Sequence, residues 1–278
     1  SWPSSSGSPS AEPLPSATMR IVTWNVNSLK ARLARVEAWI AATEPDVLCL
    51  QETKMADEAF PHGAFAALGY ESAHHGEGRW NGVAVISRVG LDDVRPGFAD
   101  GRDDPDPDAR ILWATCDGVR VASCYIPNGR EVGHDHWHYK LDWLGRLHDD
   151  LAANADVAAD PVVVVGDFNV AIDDRDVWDP AAWEGATHVT PEERAAVQRL
   201  VDLGLVDVFR ERHAAAGLFS WWDYRDLAFP KGRGMRIDLV LASLPVAAML
   251  DFVVVDRNER KGEKPSDHAP VVADFALG

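Results

Sequence analysis

The sequence predicts an α/β fold, a four-layered sandwich of two mixed sheets packed face to face with helices outside. Two patterns lead to this expectation. From Met19 onward, short apolar runs alternate with amphipathic segments of helical spacing. The strand candidates in both halves of the chain also stop at Asn or acidic residues, and one of them, "DPVVVVGDFN", is nearly all valine and so suits a strand covered on both faces.

The elements follow in order. "RIVTWNVN" reads as a strand, and "ARLARVEAWIAATE" as a helix with Leu33, Val36, Trp39 and Ile40 on one stripe. "DVLCLQE", "NGVAVISR", "ILWATC", "VRVASCYIP" and "DPVVVVGDFN" continue the strand series. "DGRDDPDPDAR", residues 100–110, is a loop, because its prolines and charges suit neither a helix nor a strand. "HYKLDWLGRLHDDLAANA" is an amphipathic helix. "TPEERAAVQRLVDLGLVDVFR" opens with Thr190 as N-cap, Pro191 at the first helical position and Glu193 completing a capping box, and Gly204 can end it. "MRIDLVLAS" and "HAPVVADFAL" close the series, and no repeat of fixed period is present.

Residues 1–18 are rich in Ser and Pro and have no apolar core segment, which excludes a signal peptide. They are read as a disordered leader or an expression remnant, and residues 19–278 as a single domain. No run is long and apolar enough to span a membrane. Cys49, Cys116 and Cys124 lie in apolar contexts without C-x-x-C spacing, as expected for reduced thiols of a cytoplasmic protein. The formal charge of −17 argues, taken alone, against a nucleic-acid partner. Net charge averages over a surface, however, and several acids can surround a divalent cation while basic residues line one face.

Polar residues collect where strand candidates end: Asn25 and Asn27, Gln51 and Glu52, Tyr125, Asp167 and Asn169, Asp238, and Asp267 with His268. Ends on one edge of a sheet converge in space. In "EKPSDHAPV" the neighbours Asp267 and His268 point to opposite faces of an extended segment, so a chemically active His268 needs its carboxylate from elsewhere.

The segments "WNVNSLKAR", "PDVLCLQETK", "YIPNG", "GDFN", "TPEER", "FSWWDYR", "RIDLVLAS" and "EKPSDHAP" occur in one order from Met19 to the end of the chain. In that order they resemble the exonuclease III family of apurinic/apyrimidinic endonucleases. The resemblance implies divalent-metal-dependent hydrolysis of DNA phosphodiesters 5′ to abasic sites, with 3′-phosphodiesterase and 3′→5′ exonuclease activity. The cofactor it implies is Mg²⁺, with Mn²⁺ as a substitute. The implied partner is double-stranded DNA with abasic sites or blocked 3′ ends, met by a monomer away from any membrane.

By the same resemblance Glu52 is the principal metal ligand, supported by Asn25, Asp267, Asp167 and Asn169. Asp167 positions or deprotonates the attacking water, and Asn169 orients it. His268 contacts the phosphate with Asp238 as its partner, while Tyr125 donates to the phosphate or the leaving group. DNA contacts are expected from Lys54, Arg79, Asn128, Arg130, Arg225, Lys231, Arg233 and Arg236 on the motif loops. Trp221, Met235 and Ile237 occupy positions that pack an extruded abasic sugar. His188 stands where the family often has a small residue, and a ring facing the opposite strand would favour trimming at ends. Two rival readings are a phosphatase or phosphodiesterase of lipid or inositol phosphates built on the same core, and a non-catalytic DNA- or protein-binding relative. "LQETK" and "FSWWDYR" weigh against the first, and the full set of Glu52, Asp167, Asn169, Asp238 and His268 against the second.

Overall fold

The structure is a computed structural model that describes residues 18–276. The expectation for residues 1–18 therefore lies outside the described residues, apart from Thr18, which opens the first strand. In chain order the strands are β1 (Thr18–Asn25), β2 (Val47–Gln51), β3 (Glu71–His75), β4 (Val83–Ser87), β5 (Asp92–Pro96), β6 (Ile111–Cys116), β7 (Val119–Tyr125), β8 (Val162–Asp167), β9 (Val206–Asp207), β10 (Asp238–Ala242), β11 (Leu250–Val255) and β12 (Val271–Ala276). They form two six-stranded sheets, ordered β11-β12-β1-β2-β4-β3 and β5-β6-β7-β8-β10-β9.

Both sheets are mixed. β1 runs parallel to β2, and β7 parallel to β8, while the remaining pairs are antiparallel. The valine run of β8 shows why the sheets stack. Val163 and Val165 point into the core between the sheets, beside Ile21, Val47, Val85, Val121 and Val240. Val162 and Val164 point the other way, onto Trp143, Leu144, Leu147 and Leu151 of the helix Asp135–Asn154 and Val197 and Leu200 of the helix Pro191–Asp202. Alternate side chains leave opposite faces of a strand, so an all-apolar strand needs a cover on each side. The other outer face is covered by the helix Leu29–Thr43, whose Leu29, Val36, Trp39 and Ile40 pack on Val22, Leu48, Leu50 and Ile86. Helix, sheet, sheet and helix make the four expected layers. Each fully buried Val, Leu or Ile in them contributes about 1.5–3 kcal/mol relative to exposure.

The capping box that the sequence announces at Thr190 is present. Thr190 accepts the Glu193 amide, Glu193 returns the bond to the Thr190 amide, and Pro191 fills the first turn. Residues 100–110 form no helix or strand. The cysteines are free and buried. The strands that the pattern does not announce are β3, β5, β9 and β11, and these are the four edges of the two sheets.

Candidate active site

Register brings the polar strand ends together. Tyr125 pairs with Asp167 across the parallel β7–β8 ladder, and Asp238 pairs with Asp167 across the antiparallel β8–β10 ladder. One row of the second sheet therefore carries Tyr125, Asp167 and Asp238 side by side. Gly166 makes that row compact, because a Cβ there would stand 1.9 Å from the Cys124 carbonyl oxygen. In the first sheet Asn25 pairs with Gln51, and Glu52 follows with a left-handed φ of 52°.

Asn25 joins the two sheets. Its Nδ2 donates to Glu52 Oε1 at 2.9 Å and to Asp167 Oδ2 at 2.9 Å, while its Oδ1 accepts the Asn27 amide at 2.9 Å. A second tie lies beneath, where Gln51 Nε2 donates to Ser123 Oγ at 3.1 Å and Ser123 Oγ donates to the Leu50 carbonyl at 3.1 Å. Gln51 is thus a buried tie between sheets and does not reach the site.

The partner that His268 requires is Asp238. His268 Nδ1 donates to Asp238 Oδ2 at 2.9 Å and Oδ1 at 3.1 Å, and Ser220 Oγ donates to Asp238 Oδ2 at 2.6 Å. On its other side, His268 Nε2 stands 3.7 Å from Asp167 Oδ2. Burial works against the imidazolium, yet Asp238 first and Asp167 second outweigh it and raise His268 from 6.5 to about 10. Burial pushes Asp167 up to about 7, opposed by the positive charge of His268. Two carboxylates facing one imidazole leave the proton on the histidine. The Tyr125 phenol is pushed well above 10 by burial and then by Glu52, so its O–H stays a donor.

Glu52, Asp167 and His268 offer donor atoms that all lie within 4.8 Å of one another, the one such group of three among the described residues. A protonated His268 has no lone pair to give, which leaves the carboxylates of Glu52 and Asp167. Two hard oxygen donors fit a divalent cation of the Mg²⁺ or Mn²⁺ kind, which takes oxygen ligands and keeps several waters. Asn25, expected as a supporting ligand, turns its amide nitrogen toward both carboxylates and so aligns them. Asp267 stands outside the donor group, its oxygens taken by Asn27 Nδ2 and Trp221 Nε1 at 3.1 Å each. Asn169 faces Asn128 and the 126 carbonyl: Asn128 Nδ2 donates to its Oδ1 at 3.2 Å, and its Nδ2 donates to Ile126 O at 2.9 Å. Its backbone N–H donates to Asp167 Oδ1 at 3.0 Å.

The expected DNA contacts divide. Arg79, Asn128, Arg130, Lys231 and Arg233 are exposed. Arg225 is exposed too, but forms a two-point pair with Asp223 at 2.9 and 3.1 Å. Lys54 turns inward, with its ammonium 3.0 Å from Glu52 Oε2 and bonded to Asn27 Oδ1. Trp221 lines a recess of about 230 Å³ together with Trp178, Trp183 and Arg233.

Three expectations are corrected. Arg236 is 1% exposed and paired with Asp176 and Asp207 at 2.7 Å each, so it has no surface for a phosphate. Met235 and Ile237 are buried in a small core with Ala171 and Val177, leaving Trp221 as the partly exposed member of their trio. His188 is 7% exposed, and its Nδ1 donates to the Asn169 carbonyl at 2.5 Å, so its ring does not face an opposing strand.

Sequence reasoning assigns no role to Ser220 or Lys140. Ser220 lies in "FSWWDYR", a motif noticed as a whole. Lys140 interrupts the apolar stripe of its helix one turn before Trp143 and Leu144, and a cation on a buried face is the signal that marks it.

Comparison with known proteins identifies the family. Residues 22–268 match the family model described as Endonuclease/Exonuclease/phosphatase family. The chain is 36% identical to exodeoxyribonuclease III of Haemophilus influenzae over 92% of this chain and 100% of that protein. It superposes on an AP endonuclease from Archaeoglobus fulgidus with a TM-score of 0.90 and 35% identity, covering 93% of this chain and 100% of the other. It also superposes on the Neisseria 3′ phosphatase NExo bound to a product DNA hairpin, with a TM-score of 0.88, 38% identity and the same coverage. From its strand-end carboxylates to its full-length relatives, this chain belongs to the endonuclease/exonuclease/phosphatase family, among the DNA repair nucleases of the exodeoxyribonuclease III type.

Proposed function

We propose that the protein hydrolyses DNA phosphodiesters 5′ to abasic sites, leaving a 3′-hydroxyl, and that it also removes 3′ blocks and trims 3′ ends with Mg²⁺ as its cofactor. The observation that carries this reading is the line Asp238–His268–Asp167, with Glu52 completing the donor group at its end. Imidazolium, carboxylates and phenol converge where a phosphate diester would have to lie.

His268, protonated and held by Asp238, donates to a non-bridging phosphate oxygen and balances charge that builds there. Asp167, aimed by the Asn25 amide and the Asn169 N–H, takes the proton of the attacking water, and Asn169 orients that water. Tyr125 donates its O–H toward the phosphate or the departing oxygen. When a divalent cation is held by Glu52 and Asp167, it supplies Lewis-acid stabilisation to the phosphoryl oxygens. Arg79, Arg130, Lys231 and Arg233 grip the DNA backbone around the pocket despite the charge of −17.

We further propose that residues 19–278 act as one domain and as a monomer; a core drawing residues from both sheets supports the first point. Among the described residues no helix is long and apolar enough to cross a membrane. The buried free thiols suit a reducing compartment such as the cytoplasm.

The test uses a labelled duplex with an abasic-site analogue, beside recessed and nicked ends, in Mg²⁺ and in EDTA. Incision 5′ to the analogue in Mg²⁺ alone is expected. Glu52→Gln should lower it by roughly 10²-fold or more while the far-UV spectrum is unchanged. Incision in EDTA, or a variant within about 3-fold of wild type, would remove the metal assignment.

A further inference from the structure

We propose that Lys140 is a positioning residue of the active site, holding the two asparagine loops in register through one buried ammonium group. The inference rests on the reading that Asn169 orients the attacking water.

Lys140 lies on the helix Asp135–Asn154 with no exposed side-chain surface, and its partner Glu193 has none either. An ammonium has three protons to donate. They meet Glu193 Oε1 at 2.5 Å, the Asn169 carbonyl at 2.6 Å and the Asn128 carbonyl at 3.3 Å, with Thr187 Oγ1 at 3.5 Å on the rim. These acceptors belong to separate parts of the chain: the "YIPNG" loop, the "GDFN" loop, and the first turn of the helix that opens within "TPEER". Glu193 extends the tie, accepting from Thr187 Oγ1 at 2.7 Å, the His188 amide at 3.0 Å and Thr190 Oγ1 at 2.8 Å. His188 Nδ1–H shares the Asn169 carbonyl at 2.5 Å, which leaves it no lone pair for Lys140 at 3.4 Å.

The node controls groups that face the reaction. Asn169 has a left-handed φ of 52°, and its amide N–H donates to Asp167. The Asn169 carbonyl and amide flank the Cα that carries its side chain, so displacing the carbonyl shifts that Cα and loosens the bond that aims Asp167. The Asn128 carbonyl on the same ammonium sets the distance from which Asn128 Nδ2 reaches Asn169 Oδ1. Packing makes the fit tight. A Cβ at Gly129 would stand 2.7 Å from Thr187 Oγ1 and 3.2 Å from Lys140 Cδ, and the residue has φ 90°. Simple stability would not require a cation here, because a buried pair is often no more stable than well-packed apolar residues. Fixed donors aimed at two loop carbonyls are what an apolar side chain cannot supply.

The experiment compares Lys140→Met, the charge-balanced double variant Lys140→Met/Glu193→Gln, Asn169→Ala and Leu147→Ala under steady-state and single-turnover conditions, well below each melting temperature. Leu147 is buried on the same helix and has no polar atom with which to hold these loops, so it reports lost packing alone. Both Lys140 variants are expected to lose about 10–100-fold in kcat with KM within about 3-fold, as supporting partners of site residues do. Leu147→Ala should lower the melting temperature and leave kcat near wild type. If Lys140→Met does not fold, the double variant, which leaves no unpaired charge, carries the test. A low kcat in Asn169→Ala together with wild-type kcat in the folded Lys140 variants would overturn the proposal and spare the reading of Asn169. Near-wild-type kcat in Asn169→Ala would overturn both.

Discussion

Replacing Asp238 by Asn removes one negative charge and almost no volume from the centre of the site. In the wild type that carboxylate accepts Ser220 Oγ–H at 2.6 Å and His268 Nδ1–H at 2.9 Å, with 1% of its surface exposed. The rise of His268 from 6.5 to about 10 spans about 3.5 pH units, or ~5 kcal/mol in favour of imidazolium at ~1.4 kcal/mol per unit. Burial opposes that rise, and Asp238 is the largest of the charges that produce it, with Asp167 next. The amide removes the largest of those charges, and a step that needs the imidazolium should slow by roughly 10²–10³-fold. An amide NH₂ facing Nδ1 leaves a neutral ring protonated on Nε2, which can still donate to the phosphate but carries no charge to balance it. The assay is single-turnover incision of an abasic-analogue duplex at saturating enzyme, with affinity measured separately in Ca²⁺. Asp238→Asn should lose roughly 10²–10³-fold in rate with affinity changed only slightly. His268→Asn should be as severe, and the double variant little worse than the worse single one, because the two act as one unit. A rate within about 3-fold of wild type, or losses that multiply in the double variant, would refute the pairing.

Other outcomes follow from the same geometry. Arg236→Met strands Asp207 and leaves Asp176 to Arg210, so stability should fall by about 3–5 kcal/mol, read as a lower urea midpoint. Unchanged stability with weakened DNA binding would restore Arg236 as a phosphate contact. Affinity for an abasic duplex in Ca²⁺ should drop roughly tenfold or more between 50 and 200 mM salt, and a flat response would mean that the exposed arginines are not the contact surface. Burial holds His188 down to about 3, helped by the charge of Lys140, and burial holds His74 down to about 4. Both values lie below the unfolded 6.5, so the unfolded chain binds more protons as pH falls. The stability these residues contribute is present above pH 6.5 and is lost toward about 4 and about 3. Urea unfolding from pH 7.5 to 5.5 should accordingly show a shallower loss in His188→Gln than in wild type, and equal slopes would show that His188 is not held neutral.

The inner strands were legible because they are covered on two sides and must be apolar on both faces; β8, β10 and β12 announce themselves as runs of valine, leucine and alanine. The edge strands were not. β5 is mostly exposed, β3 is half-exposed, and β9 has two residues, so no periodic apolar pattern marks them. Neighbouring chains of the sheet, not their own side chains, hold them in place. The capping box at Thr190 was readable because a cap is a local matter of hydrogen bonds within four residues. Candidates for the site were readable for a different reason: Glu52, Tyr125, Asp167, Asp238 and His268 are polar where strands end, ends of neighbouring strands share an edge, and the resemblance singled these out from the other polar ends.

Exposure and partnership are another matter, because they depend on residues far apart in the chain. Nothing local distinguishes Arg236, buried between Asp176 and Asp207, from Arg233, exposed and stacked over Trp178. His188 likewise looks like a loop ring until the Asn169 carbonyl closes on it, and Lys140, although it interrupts an apolar stripe, shows its partners only when Asn169 and Glu193 meet it. The sequence by itself determined the layers, the inner strands and the chemical types at the site, since these follow from periodicity and from what each side chain can do. Tertiary structure alone decided which charges meet solvent and which meet each other, because burial is set by the packing of segments that the chain brings together only when it folds.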